Sequence, residues 1–186
     1  DEIVIDNSPE KRFSIEQYAL TYDADVAASR TDRKLNSVGL TVGSDSYSST
    51  ARSGKLYTDN TTASVFSVKA GDQVQPTFNY TGNAMHGYVY VDWGNDGLFS
   101  DTVNTNGTPA EGSDVVSYCA AEVKGSWYNS TGASAAASNH ISGGVPKFTV
   151  PADTPTGFYR MRYKVDWDNL NPAGSSTIIS DGGAIT

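Results

Sequence analysis

The sequence predicts an all-β protein: an antiparallel β-sandwich of jelly-roll type, with about seven to nine short strands and one long loop. The first observation is a missing helical period. No window places apolar side chains at i, i+3, i+4 and i+7 over a helix's length. The second is a recurrence of short runs rich in aromatic and β-branched residues, each bounded by Gly, Ser, Thr, Asn or Asp. The third is compositional. Hydrophobic residues make up only 38% of the 186, yet 11 Tyr, 6 Phe and 3 Trp supply bulky side chains of the kind strands favour.

Taken in order, the strand runs fall at residues 12–22, 35–42, 63–68, 73–80, 86–93, 147–150 and 157–167, with weaker ones at 115–118 and 177–179. Lys69-Ala70-Gly71-Asp72 reads as the turn between the third and fourth runs. Thr81-Gly82-Asn83-Ala84-Met85 closes a hairpin between the fourth and fifth. Side chains alternate along a strand, so two runs can be phased. Val89, Val91 and Trp93 share one face, opposite Tyr88, Tyr90 and Asp92. Tyr159, Met161, Tyr163, Val165 and Trp167 share another, opposite Phe158, Arg160, Arg162, Lys164 and Asp166. Burial of one face stabilises an antiparallel strand, so the apolar sets are expected in the core and the polar sets in solvent.

Residues 104–144 interrupt this pattern. They are dense in Ser, Ala, Asn, Gly and Thr, and a stretch this long without regular structure is uncommon in a compact domain. Residues 1–12 are polar and read as a flexible N-terminal segment, leaving 13–186 as a single β-sandwich domain. No charged-then-apolar leader opens the chain, which reads as a mature or trimmed fragment. No apolar run is long enough for a membrane-spanning helix. With 13 Lys+Arg against 21 Asp+Glu, the net charge of −8 argues against nucleic acid or an anionic membrane as partner. The single cysteine, Cys119, rules out an internal disulfide framework and reads as a small buried side chain.

Three patterns carry chemistry. Asp92-Trp93-Gly94-Asn95-Asp96-Gly97-Leu98-Phe99-Ser100-Asp101 sets carboxylates around a glycine turn, the arrangement from which loops offer oxygens to calcium. Asp92 and Asp96 occupy the first and fifth positions of such a loop and Gly97 the sixth, with Asp101 available to complete a Ca²⁺ site. The third position, Gly94, offers no side-chain oxygen. The competing reading is a turn whose carboxylates bond backbone amides. Aromatics come next: a sugar stacks its C–H face on Tyr or Trp, which marks Trp127 and Tyr128 in the long loop and Tyr88 and Tyr90 on the outward strand face as candidate glycan contacts. The row Arg160, Arg162 and Lys164 reads as balancing neighbouring carboxylates. Catalytic constellations are not apparent: no nucleophile elbow, zinc helix or phosphate loop occurs, and His86 and His140 lack partners in the sequence. The chain therefore reads as non-enzymatic.

Residues 90–101, with the later block Phe148-Thr149-Val150-Pro151-Ala152-Asp153-Thr154-Pro155-Thr156-Gly157-Phe158-Tyr159-Arg160-Met161-Arg162, resemble the GEVED-type domain. The resemblance covers about 57–186, interrupted by the long insertion at 104–144. Where that family carries its acidic Gly-Glu-Val-Glu-Asp signature, this chain has Ser180-Asp181-Gly182-Gly183-Ala184, with Asp181 the one carboxylate there. The resemblance implies a β-sandwich accessory module of a secreted or surface bacterial protein, Bacteroidetes-like in composition. It implies a non-catalytic carbohydrate-binding role beside the other domains of a glycan-degrading parent. The alternative it leaves open is a structural or adhesion spacer with no sugar ligand.

Overall fold

A computed structural model describes residues 30–63, 66–167 and 182–186. Its strands are β1 (Lys34–Val42), β2 (Asp45–Thr50), β3 (Tyr57–Thr58), β4 (Gln73–Thr81), β5 (His86–Val91), β6 (Val115–Tyr118), β7 (Ala121–Val123), β8 (Ser126–Tyr128), β9 (Phe148–Thr149), β10 (Met161–Asp166) and β11 (Gly183–Ile185). The all-β class is as expected. The expected runs at 12–22 and 177–179, and the N-terminal segment 1–12, lie outside the described residues.

Two sheets form the sandwich. The first has the order β2-β1-β4-β9 and is antiparallel throughout. The second has the order β3-β11-β10-β5-β6, antiparallel except where β11 meets β3. A small β7–β8 hairpin stands apart. The strand at β2, all Ser, Thr, Asp and Tyr, was not legible as an apolar run. It pairs with β1 at Gly39↔Ser48, where a Cβ on Gly39 would overlap the Tyr47 carbonyl. Residues 66–68 are not a strand, and β10 begins only at Met161, with the Arg160 carbonyl accepting one further bond from the Asp92 amide at 2.9 Å.

Between the sheets lies the main core. Val38 and Leu35 of β1 meet Val89 of β5, Tyr163 and Val165 of β10 and Ile185 of β11. Of the side chains that alternation assigns inward, Val89, Val91, Tyr163 and Val165 are buried, and Trp93, Tyr159 and Met161 are partly so. Tyr163 spans the layers: its hydroxyl donates to the Gly39 carbonyl at 2.7 Å, and its ring meets Phe78 edge-on at 5.3 Å between centroids. Burial pushes the phenol's pKa far up, so it stays a donor throughout the working pH range.

The other side of the second sheet departs from expectation. Tyr88, Tyr90, Asp92, Arg162, Lys164 and Asp166 were assigned to solvent and are buried instead. The cause is the 104–144 insertion, which is not the featureless loop its composition suggests. It contributes β6, whose Tyr118 and Val115 stand beside Tyr88 and Tyr90 in the sheet, and these pack with Ala121, Phe99 and Val103 as a second core. Alternation identifies which side chains share a face; it says nothing about what covers that face.

The two tryptophans also differ from expectation. β5 stops at Val91 and β10 at Asp166, so Trp93 and Trp167 stand beyond the sheet edge. Trp93 is half-buried, whereas Trp167 is 40% exposed with the Arg33 guanidinium 3.8 Å above its ring. Antiparallel pairing puts Met161 opposite Val91 and Asp166 opposite His86, so the similar-looking ends of these strands point to opposite ends of the domain. Replacing Tyr163 with Phe removes this hydrogen bond across the core and should cost about 0.5–1.5 kcal/mol in urea unfolding. Trp167→Ala should cost well below the roughly 3–5 kcal/mol of a buried aromatic, because the ring keeps much of its contact with water.

Candidate functional site

The loop after β5 is built by two carboxylates. Asp92 is buried and accepts the amide hydrogens of Asp96 at 3.1 Å and Gly97 at 3.0 Å. Asp114 accepts from the Trp93 amide at 3.0 Å, and from the Ser100 amide and hydroxyl at 2.7 Å each. Burial pushes the Asp114 carboxyl up, against the pull of these donors. Asn95 and Gly97 take positive φ of 51° and 83°, which Asn and Gly tolerate best. Together these contacts hold 92–100 as a rigid turn and present Trp93 and Asn95 to one end of the sandwich.

That end is open. A cleft of about 640 Å³ runs between the sheets, with Leu40, Val74, Val150 and Met161 on its apolar floor. Trp93 and Tyr159 form one wall, their ring centroids 5.8 Å apart at 58°. Phe66 lines the cleft as well and stacks against Tyr47 at 5.8 Å. The Tyr159 hydroxyl donates to the Pro155 carbonyl at 2.8 Å, which closes the 151–160 loop and sets the ring's angle. Asn60, Thr61, Asn95, Thr156 and Arg160 supply amide, hydroxyl and guanidinium groups to the lining. Volume, apolar floor and sparse polar groups are those of a small-molecule site.

The residues singled out from the sequence are scattered by the fold. Tyr88 and Tyr90 have no exposed surface and sit beneath the insertion, which removes them as glycan contacts. Trp127 and Tyr128 form the second strand of the β7–β8 hairpin, both half-buried. Tyr128 packs so closely on Gly107 that any Cβ there would overlap it, which gives that ring an anchoring role. Tyr118 donates its hydroxyl to the Gly107 carbonyl from the opposite side, pinning the same turn. Trp93 and Tyr159 were assigned to the core interior; the open cleft gives them a surface. A Trp directly after a strand, before an Asn-Asp-Gly turn, was the available signal.

Asp92, Asp96 and Asp101 carried the calcium reading. Asp92 serves backbone amides, Asp96 accepts the Leu98 amide at 2.9 Å, and the charge of Asp101 acts on Tyr90 and Lys164. Asp166 pairs with His86, at the other end of β10 from the Asp92 turn. Among the described residues, no three His, Cys, Asp or Glu side chains converge to hold a metal ion. Thermal unfolding with EDTA and then with millimolar calcium separates a calcium site from an amide-bonded turn, since the turn alone gives the same midpoint in both. A metal bound only by the folded state would raise stability by about 2.7 kcal/mol at a hundredfold excess over Kd.

The two histidines meet in the fold. His86 is buried with its ring 5.0 Å from that of His140, and its Nδ1 lies 3.8 Å from the Cys119 sulfur. Burial, aided by the His140 charge, holds His86 down at about 4 against an ordinary value of 6.5. Because the folded state refuses this proton, stability present above pH 6.5 is lost as pH falls toward 4. The loss through this group is no more than roughly 3 kcal/mol, reduced by whatever screening solvent supplies. Urea unfolding across that window should show the decline, and His86→Gln should flatten it.

The fold and its open end define an all-β sandwich domain with an aromatic cleft. The GEVED domain matches residues 86–184, more than half of the chain, and the chain belongs to that family. The match runs from the first residue of β5 into β11, and so takes in the loop carrying Trp93, the insertion and the Tyr159 loop. No curated protein and no solved structure matches the chain.

Proposed function

We propose that this GEVED domain is a non-catalytic, extracellular carbohydrate-binding module of a bacterial glycan-degrading protein, and that the sugar lies in the cleft beside Trp93 and Tyr159. The supporting observation is that wall: two tilted aromatic rings at the open end of the sandwich, with amide and hydroxyl groups among the same lining residues. Aromatic rings take the C–H face of a sugar, and Asn95, Thr156 and Arg160 suit its hydroxyls. Trp127 is the second aromatic to test, since it is only half-buried on its hairpin.

A spacer role draws support from a different feature. Phe158 is 83% exposed and Leu98 64%, and large apolar side chains held in water are typical of surfaces that meet another domain. A glycan array followed by calorimetry separates the two readings. Cleft binding predicts that Tyr159→Ala and Asn95→Gly each weaken the best glycan at least about tenfold, or 1.4 kcal/mol, with folding intact by circular dichroism. Trp127→Ala should leave that affinity unchanged. No response to any glycan at millimolar concentration would favour the spacer.

A further inference from the structure

Lys164 and Asp166 both lie on the covered face of β10, two residues apart, and neither side chain has any surface in contact with water. Lys164 Nζ is 3.4 Å from Asp166 Oδ2, and Nζ has no hydrogen-bond partner among the described residues. An ammonium carries three N–H donors, and one long contact leaves it poorly satisfied in a dry layer. The Tyr88 ring lies 5.6 Å from Nζ and offers it a π face. The Tyr90 hydroxyl is likewise buried without a partner. Holding the Lys164 ammonium under these conditions is costly, and a neutral form of the pair would remove that cost.

We propose that Lys164 and Asp166 are a self-modifying pair that condenses in the folded protein to an intramolecular amide. Residues i and i+2 on one strand face stand about 6.6 Å apart, and the four-carbon lysine stem already folds along the strand to bring Nζ against the carboxyl. The step balances without any co-reactant. A proton passes from the Lys164 ammonium to the Asp166 carboxylate, giving a neutral amine against a carboxylic acid. The Nζ lone pair attacks Cγ, forming the N–C bond. The C–OH bond breaks, and the hydroxyl leaves as water with one proton from the amine. Burial favours the neutral amine, and the positive charge of Arg162 pushes the same way, while Asp166 and Asp101 oppose it. Exclusion of bulk water then disfavours return of the hydrolysed pair. The amide product carries no charge, which suits the Tyr88 and Tyr90 surroundings better than the ions do.

The mass of the purified full chain tests this. The folded protein, incubated at neutral pH, should be one water lighter than its sequence, while a sample held in urea from synthesis keeps the full mass until it is refolded. Tryptic mapping should show no cleavage after Lys164, with the missing water on the peptide containing both residues. Asp96-Gly97 and Asp181-Gly182 can lose the same water as cyclic imides. A deficit that maps to either of them, and is cut by hydroxylamine, would overturn the proposal. So would a folded chain at its full sequence mass with normal cleavage after Lys164. Lys164→Arg keeps the cation without an amine that can condense, and should show its own full mass. If that variant fails to fold, the map of the unsubstituted chain decides alone.

Discussion

The β5–β10 pair is buried on both faces, and the rest of the molecule is arranged around that constraint. One face needs the four-stranded sheet, which meets it through Val38, Val89, Tyr163 and Val165. The other needs the insertion, which brings Val115, Tyr118 and Ala121 against Tyr88 and Tyr90. An antiparallel strand with one covered face can leave polar residues in water; a strand covered twice must place every polar group against a partner. Arg162 meets this demand by donating to the Thr186 hydroxyl at 3.0 Å while its guanidinium lies 4.4 Å over the Phe99 ring. Asp92 meets it with two backbone amides. Lys164 is the member of this layer whose needs are least met.

The same constraint explains the division between frame and site. Asp92 and Asp114 spend their oxygens on the turn after β5, which makes that turn stiff. Stiffness there has a use at the cleft, because Trp93 and Asn95 are held in place before any ligand arrives. The opposite end of the domain is organised differently, with Trp167 capped by Arg33 and beside Thr81, Gly82 and Asn83.

Much of the fold was legible because alternation is a local property. Val89, Val91, Tyr163 and Val165 could be assigned to the core from their spacing alone, and the strands at β1, β4, β5 and β6 fall where β-branched and aromatic residues cluster. The polar strand β2 and the two- and three-residue strands β3, β7 and β11 have no such signature. β2 and β11 are carried by the longer β1 and β10, β3 adds to β11, and β7 pairs with the equally short β8 in a hairpin. The covered face was illegible for a related reason: its lid lies in a segment whose composition is that of a loop, and its packing depends on contacts distant in sequence. The Asp92 turn was read with the right residues and two competing chemistries. Only its hydrogen bonds show which groups the Asp92 oxygens serve.

The position of β11 bears on how the chain reaches this state. Residues 183–185 are inserted between β10 and β3, inside the five-stranded sheet, and pair with Tyr57 and Thr58 more than a hundred positions earlier. The Tyr163 hydroxyl reaches Gly39 across 124 positions. Contacts of such separation impose a high contact order, and folding of this kind is slow because large loops must close before their contacts form. While it is being made, the chain lacks the strand that joins β3 to the rest of the sheet, so no earlier intermediate can complete the second layer. A polypeptide with this topology cannot complete its second sheet until residues 183–185 have been made.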